Sequence, residues 1–128
     1  IFPDGGVSYD LLSKPKNGAV FLSTIGKAPI VPISIYGAEN AWSDVFRGVR
    51  PRVFINIGKP FGPHNIKGNK KEKTKKMEKV GYEMMCRIAA LLPENRRGPY
   101  VGSPLINKIQ IQNQIIPQNP PLNKQQKN

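Results

Sequence analysis

The sequence predicts an α/β domain, and three observations carry that prediction. Residues Pro29–Tyr36 and Arg52–Ile57 are two short runs crowded with β-branched residues, each bounded by turn formers. From about Lys70 to Leu92 the pattern changes, with Met77, Val80, Met84, Ile88 and Leu91 recurring at three- and four-residue steps. Short β-branched runs between turns read as strands, and the longer three-and-four spacing reads as an amphipathic helix. Helix and strand signals mixed along one chain favour a sheet with packed helices over an all-helical domain.

The elements follow in order. Ile1-Phe2 leading into Pro3-Asp4-Gly5-Gly6 reads as a strand end entering a tight turn, because glycine tolerates backbone angles that other residues avoid. Residues 17–27 read as a short helix with Asn17 as N-cap. Val20, Phe21 and Ile25, with Leu22, form its apolar side. The Pro29–Tyr36 run reads as a strand buried on both faces. Pro32 lacks an amide donor and so belongs at a strand end or bulge. Gly58-Lys59-Pro60 closes the Arg52–Ile57 strand, and Pro93 stops the long helix. Lysines at the start of that helix oppose its dipole, so its first turns are expected to fray. Gly81 weakens its middle by about 1 kcal/mol relative to alanine.

The chain has 128 residues and carries a formal net charge of +12, a size that suits one domain. The charge is concentrated: seven lysines and two glutamates lie between residues 67 and 79, and residues 95–128 hold five basic groups and no acid. A single cysteine excludes an intramolecular disulfide framework, and one Cys with one His cannot build a zinc site alone. No apolar run approaches the length of a transmembrane helix. Beyond Tyr100 the composition turns to Asn, Gln and Pro. Isoleucines 106, 109, 111, 115 and 116 could support a fragment of local structure, but residues 101–128 are read as a disordered polar tail.

The candidate chemistry lies in the first third of the chain. Phe2-Pro3-Asp4-Gly5-Gly6-Val7-Ser8 delivers an acid onto a Gly-Gly turn, where backbone N–H groups can converge on an anion. Asp4 can accept hydrogen bonds from a polyol, and Lys16, two residues before Gly18, supplies a mobile positive charge. Taken alone, a Pro-Asp-Gly-Gly sequence is ordinary turn chemistry.

The ordered set is more specific. It resembles the glycerolipid acyltransferases, the family of 1-acylglycerol-3-phosphate acyltransferases. Their third sequence block reads Phe-Pro-Glu-Gly-Thr-Arg-Ser, a Lys-x-Gly follows before a helix, and their fourth block is a buried strand with Val-Pro near its start. Phe2, Pro3, Gly5 and Ser8 match the third block, Lys16 and Gly18 the next element, and Val31 and Pro32 the fourth. Asp4 stands in place of the family's Glu, Gly6 in place of Thr, and Val7 in place of Arg, which removes a bidentate phosphate donor. The resemblance covers residues 1 to about 100.

The resemblance implies that residues 1–100 are the C-terminal part of an acyltransferase-like sheet-and-helix domain. Its parent would move an acyl group from acyl-CoA or acyl-carrier protein to a lysophospholipid hydroxyl in phospholipid biosynthesis. Asp4, Gly5, Gly6 and Lys16 would bind the acceptor, and Phe2, Pro3, Ser8, Gly18, Val31 and Pro32 would support them. No metal or cofactor is implied. Localisation would be membrane-associated on the cytoplasmic side, either peripheral or anchored by a missing N-terminal segment, with an anionic membrane surface as a further partner. The family's His-x4-Asp pair, in which a general base oriented by a carboxylate deprotonates the acceptor hydroxyl, belongs upstream of the third block. The chain starts at Ile1 within that block, so it is expected to be inactive alone. Deprived of N-terminal strands, it should expose apolar edges and be poorly stable.

Other candidates are weaker. His64, the only histidine, is followed after a gap of four residues by Asn69 instead of an acid, and reads as a solvated loop histidine. Cys86 reads as a small packing residue. Trp42 and Tyr36 read first as packing residues, then as the lining of an acyl pocket or as residues at a membrane interface. The 67–79 lysines read as a solvated helix start, then as a surface for lipid headgroups or an acidic carrier protein. Nucleic acid is the least favoured partner, because no aromatic residues are interleaved with the lysines. Two rivals to the enzyme stand: a catalytically inactive lipid- or carrier-binding domain, and a basic nucleic-acid-binding module.

Overall fold

A computed structural model describes residues 1–6 and 11–119. It is a small mixed α/β domain: helix α1 (Gly18–Gly26), strand β1 (Ile33–Tyr36), helix α2 (Ala41–Phe46), strand β2 (Phe54–Ile57), helix α3 (Lys70–Ala89), two single-turn 3₁₀ segments (Glu94–Arg96 and Gly98–Tyr100) and helix α4 (Pro104–Asn113). Both strands and the long helix fall where the sequence places them.

β1 and β2 pair antiparallel, with Ser34 opposite Asn56 and Tyr36 opposite Phe54. The ladder runs on through Gly58, whose N–H donates to the Pro32 carbonyl (2.9 Å), and through the mutual bonds of Ile30 and Phe61 (2.8 and 3.0 Å). Between these ties Lys59 and Pro60 together face Val31, a bulge that accommodates a proline with no amide to donate. Pro32 immediately precedes β1, where its missing donor costs nothing.

The expectation of a strand buried on both faces is corrected. Ser34 and Tyr36 point inward, whereas Ile33 and Ile35, with Ile55 and Ile57 across the ladder, are between 48 % and 62 % exposed. The small polar side chain faces the core because it has a specific partner there. The last carbonyl of the α3 C-terminal turn, at Leu91, accepts from Ser34 Oγ (2.8 Å) and from Asn56 Nδ2 (2.8 Å). A helix end leaves such carbonyls without intrahelical partners, and this cross-strand pair satisfies one and fastens the sheet to the helix.

α3 is the spine of the fold. Its expected fraying is countered by a complete capping box: Asn69 accepts from the Glu72 N–H (2.9 Å), and Glu72 accepts from the Asn69 N–H (3.0 Å). Such a box satisfies two orphan donors and places a carboxylate at the positive end of the helix dipole. One flank packs Met84 against Val20 and Phe61, and the other packs Met85, Cys86 and Ala89 against Tyr100, Ile106 and Ile109. Gly81 is buried where Pro15 crosses the helix.

Three further expectations change. In α1 the buried residues are Ala19, Val20 and Ser23, while Phe21, Leu22 and Ile25 are exposed. Asn17 occupies the N-cap position without a side-chain cap bond. The segment read as a disordered tail contains α4, whose Ile106 and Ile109, three residues apart, are buried against α3. Gln110 Nε2 adds a hydrogen bond to the Ala90 carbonyl (3.1 Å). Finally, among the described residues no helix is long and apolar enough to cross a membrane. That finding overturns the expected membrane association and the localisation drawn from it.

Candidate functional site

The site is built on the first turn. Gly5 N–H donates to the Phe2 carbonyl (3.1 Å), closing a four-residue turn with Pro3 at the position that suits its fixed φ. Gly5 has φ +89°, a conformation that glycine adopts without strain. Lys16 is fixed to the same turn, because its N–H donates to the Pro3 carbonyl (2.6 Å). Its side chain lies across the α-carbon of Gly5, so that a Cβ there would overlap Nζ. Asp4 is half-buried and accepts from Ser13 Oγ at 3.4 Å.

This turn forms one end of a cavity of about 720 Å³. Phe2, Pro3, Asp4 and Gly6 line that end. Val31, Pro32 and all of β1 form one wall, with Leu22 of α1 and Met84 and Ile88 of α3 completing an apolar lining. Hydrogen bonding alternates along an antiparallel ladder. The Pro32–Gly58 bond therefore sets Ser34 and Tyr36 toward β2 and leaves the backbone groups of Ile33 and Ile35 on the open edge of β1, beside the cavity. No described segment pairs with that edge.

The structure thus brings Phe2, Pro3, Asp4, Gly6, Val31 and Pro32 to one cavity end and wall; Gly5 and Lys16 belong to the same turn but lie outside the lining. Pro32 is buried and Val31 half-exposed. Gly18 begins α1 with open space where a side chain would be. Ser8 and Val7 lie outside the described residues.

Sequence reasoning missed two charged residues on the cavity wall. Arg96 forms an ion pair with Glu39 and lies 5.9 Å from the centre of the Tyr36 ring. Glu39 also accepts from the Gly37 N–H (3.2 Å). The partners are separated by 57 residues, and no local motif announces such a pair. Burial pushes the Glu39 carboxyl up. Hydrogen bonds from its own backbone, from Gly37 and from Arg96, together with the Arg96 charge, outweigh burial and hold it below the ordinary 4.5. A carboxyl lowered by folding contributes stability that is complete above the ordinary range and is lost as pH falls through the lowered value. Thermal melts should therefore show stability declining below about pH 5. Glu39→Gln should flatten that limb, and an unchanged acid limb in the variant would remove Glu39 from the account.

The remaining candidates resolve into structural roles. His64 is not a solvated loop residue: it is half-buried, its ring meets Phe61 edge-on (centroids 5.6 Å apart), and Nε2 is enclosed. The Asn69 that follows it is the α3 cap. Cys86 is buried with Sγ 3.7 Å from Ser103 Oγ. Tyr36 both stacks on Phe54 at 5.1 Å and lies in the cavity wall, whereas Trp42 is 79 % exposed. Among the described residues, no group of three or more His, Cys, Asp and Glu is placed to hold a metal ion. No family model, curated protein or solved structure matches the chain.

Proposed function

We propose that this chain carries the acceptor-binding part of an acyltransferase of the 1-acylglycerol-3-phosphate type, and that its mixed α/β architecture is the C-terminal part of that domain. One observation supports the reading above the others. The turn at Phe2–Gly6, Lys16 bonded to that turn, and Val31-Pro32 just before β1 stand in the order the resemblance requires, and the turn and Val31-Pro32 border one cavity.

In this reading the phosphate of a lysophospholipid sits against the Gly5-Gly6 backbone and the Lys16 ammonium. These groups stand in for the arginine that Val7 replaces. Asp4 accepts from a glycerol hydroxyl and fixes its orientation. The apolar cavity, whose volume is in the range of small-molecule sites, takes the acyl chain of acyl-CoA or an acyl-carrier protein. A His-x4-Asp pair in polypeptide preceding Ile1 takes the acceptor hydroxyl's proton. The oxygen then attacks the thioester carbonyl, the carbon–sulfur bond breaks, and the departing thiolate receives the proton.

The test is acyl transfer from acyl-CoA to lysophosphatidic acid by the chain extended through its upstream coding sequence. Asp4→Ala and Lys16→Ala should each lower kcat/KM for the acceptor by about ten-fold or more with donor KM little changed, the loss of roughly one charge-assisted hydrogen bond. An upstream sequence without a His-x4-Asp element, or an extended chain that transfers no acyl group from either donor, would count for the inactive binding-domain reading instead.

A further inference from the structure

The α3 lysines present charge that nothing in the fold absorbs. Lys70, Lys71, Lys73, Lys75, Lys76 and Lys79 are all exposed, and the capping box holds the first turn of their helix in place. Among the described residues no lysine is ion-paired. Where this helix passes α4 there is a groove of about 310 Å³. Half-buried Leu105 is its apolar floor, with the almost fully buried Ile109 behind the lining; Lys79 and Tyr82 border it from α3 and Lys108 from α4. The acid in the groove, Glu83, is already engaged by Arg87 through Nε (3.0 Å) and Nη2 (2.8 Å).

An apolar floor between two cationic rims is the complement of a helix that carries carboxylates on both sides of an apolar stripe. From this we infer that the α3–α4 groove docks an acidic amphipathic helix of a partner protein. The partner's apolar stripe meets Leu105, its carboxylates meet Lys79 and Lys108, and the lysines from 70 to 76 draw it in from solution. A nucleic acid fits less well. Its phosphates have no use for an apolar floor, and no aromatic residue is interleaved with the lysines from 67 to 79 on which bases could stack. The inference is independent of acyl transfer.

Fluorescence anisotropy of the 128-residue chain with a synthetic helical peptide, glutamates flanking a leucine stripe, tests it directly. A scrambled peptide of the same composition and a single-stranded oligonucleotide serve as competing probes. The striped peptide should bind at least about ten-fold more tightly than either, with affinity falling as salt rises. The double variant Lys79→Glu/Lys108→Glu, its fold checked by circular dichroism, should weaken the peptide about ten-fold or more, and Lys14→Glu should leave it unchanged. Equal binding of the scrambled peptide or the oligonucleotide, or indifference to the double reversal, would overturn the assignment.

Discussion

Ile109→Ala should cost the chain about 3 kcal/mol of stability in chemical denaturation, within the range for emptying a buried aliphatic site. Ile109 is 1 % exposed and packs with Met85, Cys86, Ala89, Ala90, Tyr100 and Ile106. Rigid backbone on the α3 side leaves little room for collapse into the space. The matched control lies two residues away. Ile111, on the same helix, is 79 % exposed, and its replacement by alanine should change stability by no more than about 0.5 kcal/mol. Equal losses from the two variants would mean that α4 does not pack as described.

The second large effect concerns the Leu91 carbonyl. Ser34→Ala or Asn56→Ala alone leaves the carbonyl one of its two partners and should cost about 1 kcal/mol. Removing both leaves an acceptor unpaired on a residue that is 0 % exposed. The double variant should lose about 3 kcal/mol, more than its two parents together. Denaturation of all four proteins in the cycle gives the coupling directly. Simple additivity would show that the two side chains do not share one acceptor.

What the sequence made legible, and what it hid, divides along physical lines. Pro32 at the edge of a β-branched run and the Met77–Leu91 stripe are local signals, and local geometry decides them. The outward turn of Ile33 and Ile35 was not legible. Strand periodicity alternates side chains but does not say which face is covered, and here the deciding term is the Ser34 bond to Leu91, 57 residues away. α4 was hidden by its polar composition, because two inward isoleucines suffice to hold a ten-residue helix on α3. The capping box was also present in the letters, as Asn69 three residues before Glu72, but the surrounding lysines drew the reading toward repulsion. At the site, the turn and Lys16 could be read from motif order. Glu39 and Arg96 could not, because only the fold brings them together.

The one-sided sheet has a consequence for how separate molecules behave toward each other. Four isoleucines face outward on a body with a formal net charge of +12. At low ionic strength, mutual repulsion keeps those faces apart. Salt shortens the reach of that repulsion to within about 8 Å at physiological strength and leaves the apolar attraction intact. Colloidal behaviour should therefore invert the usual benefit of added salt, with the protein best dispersed in dilute buffer and drawn together as electrolyte rises.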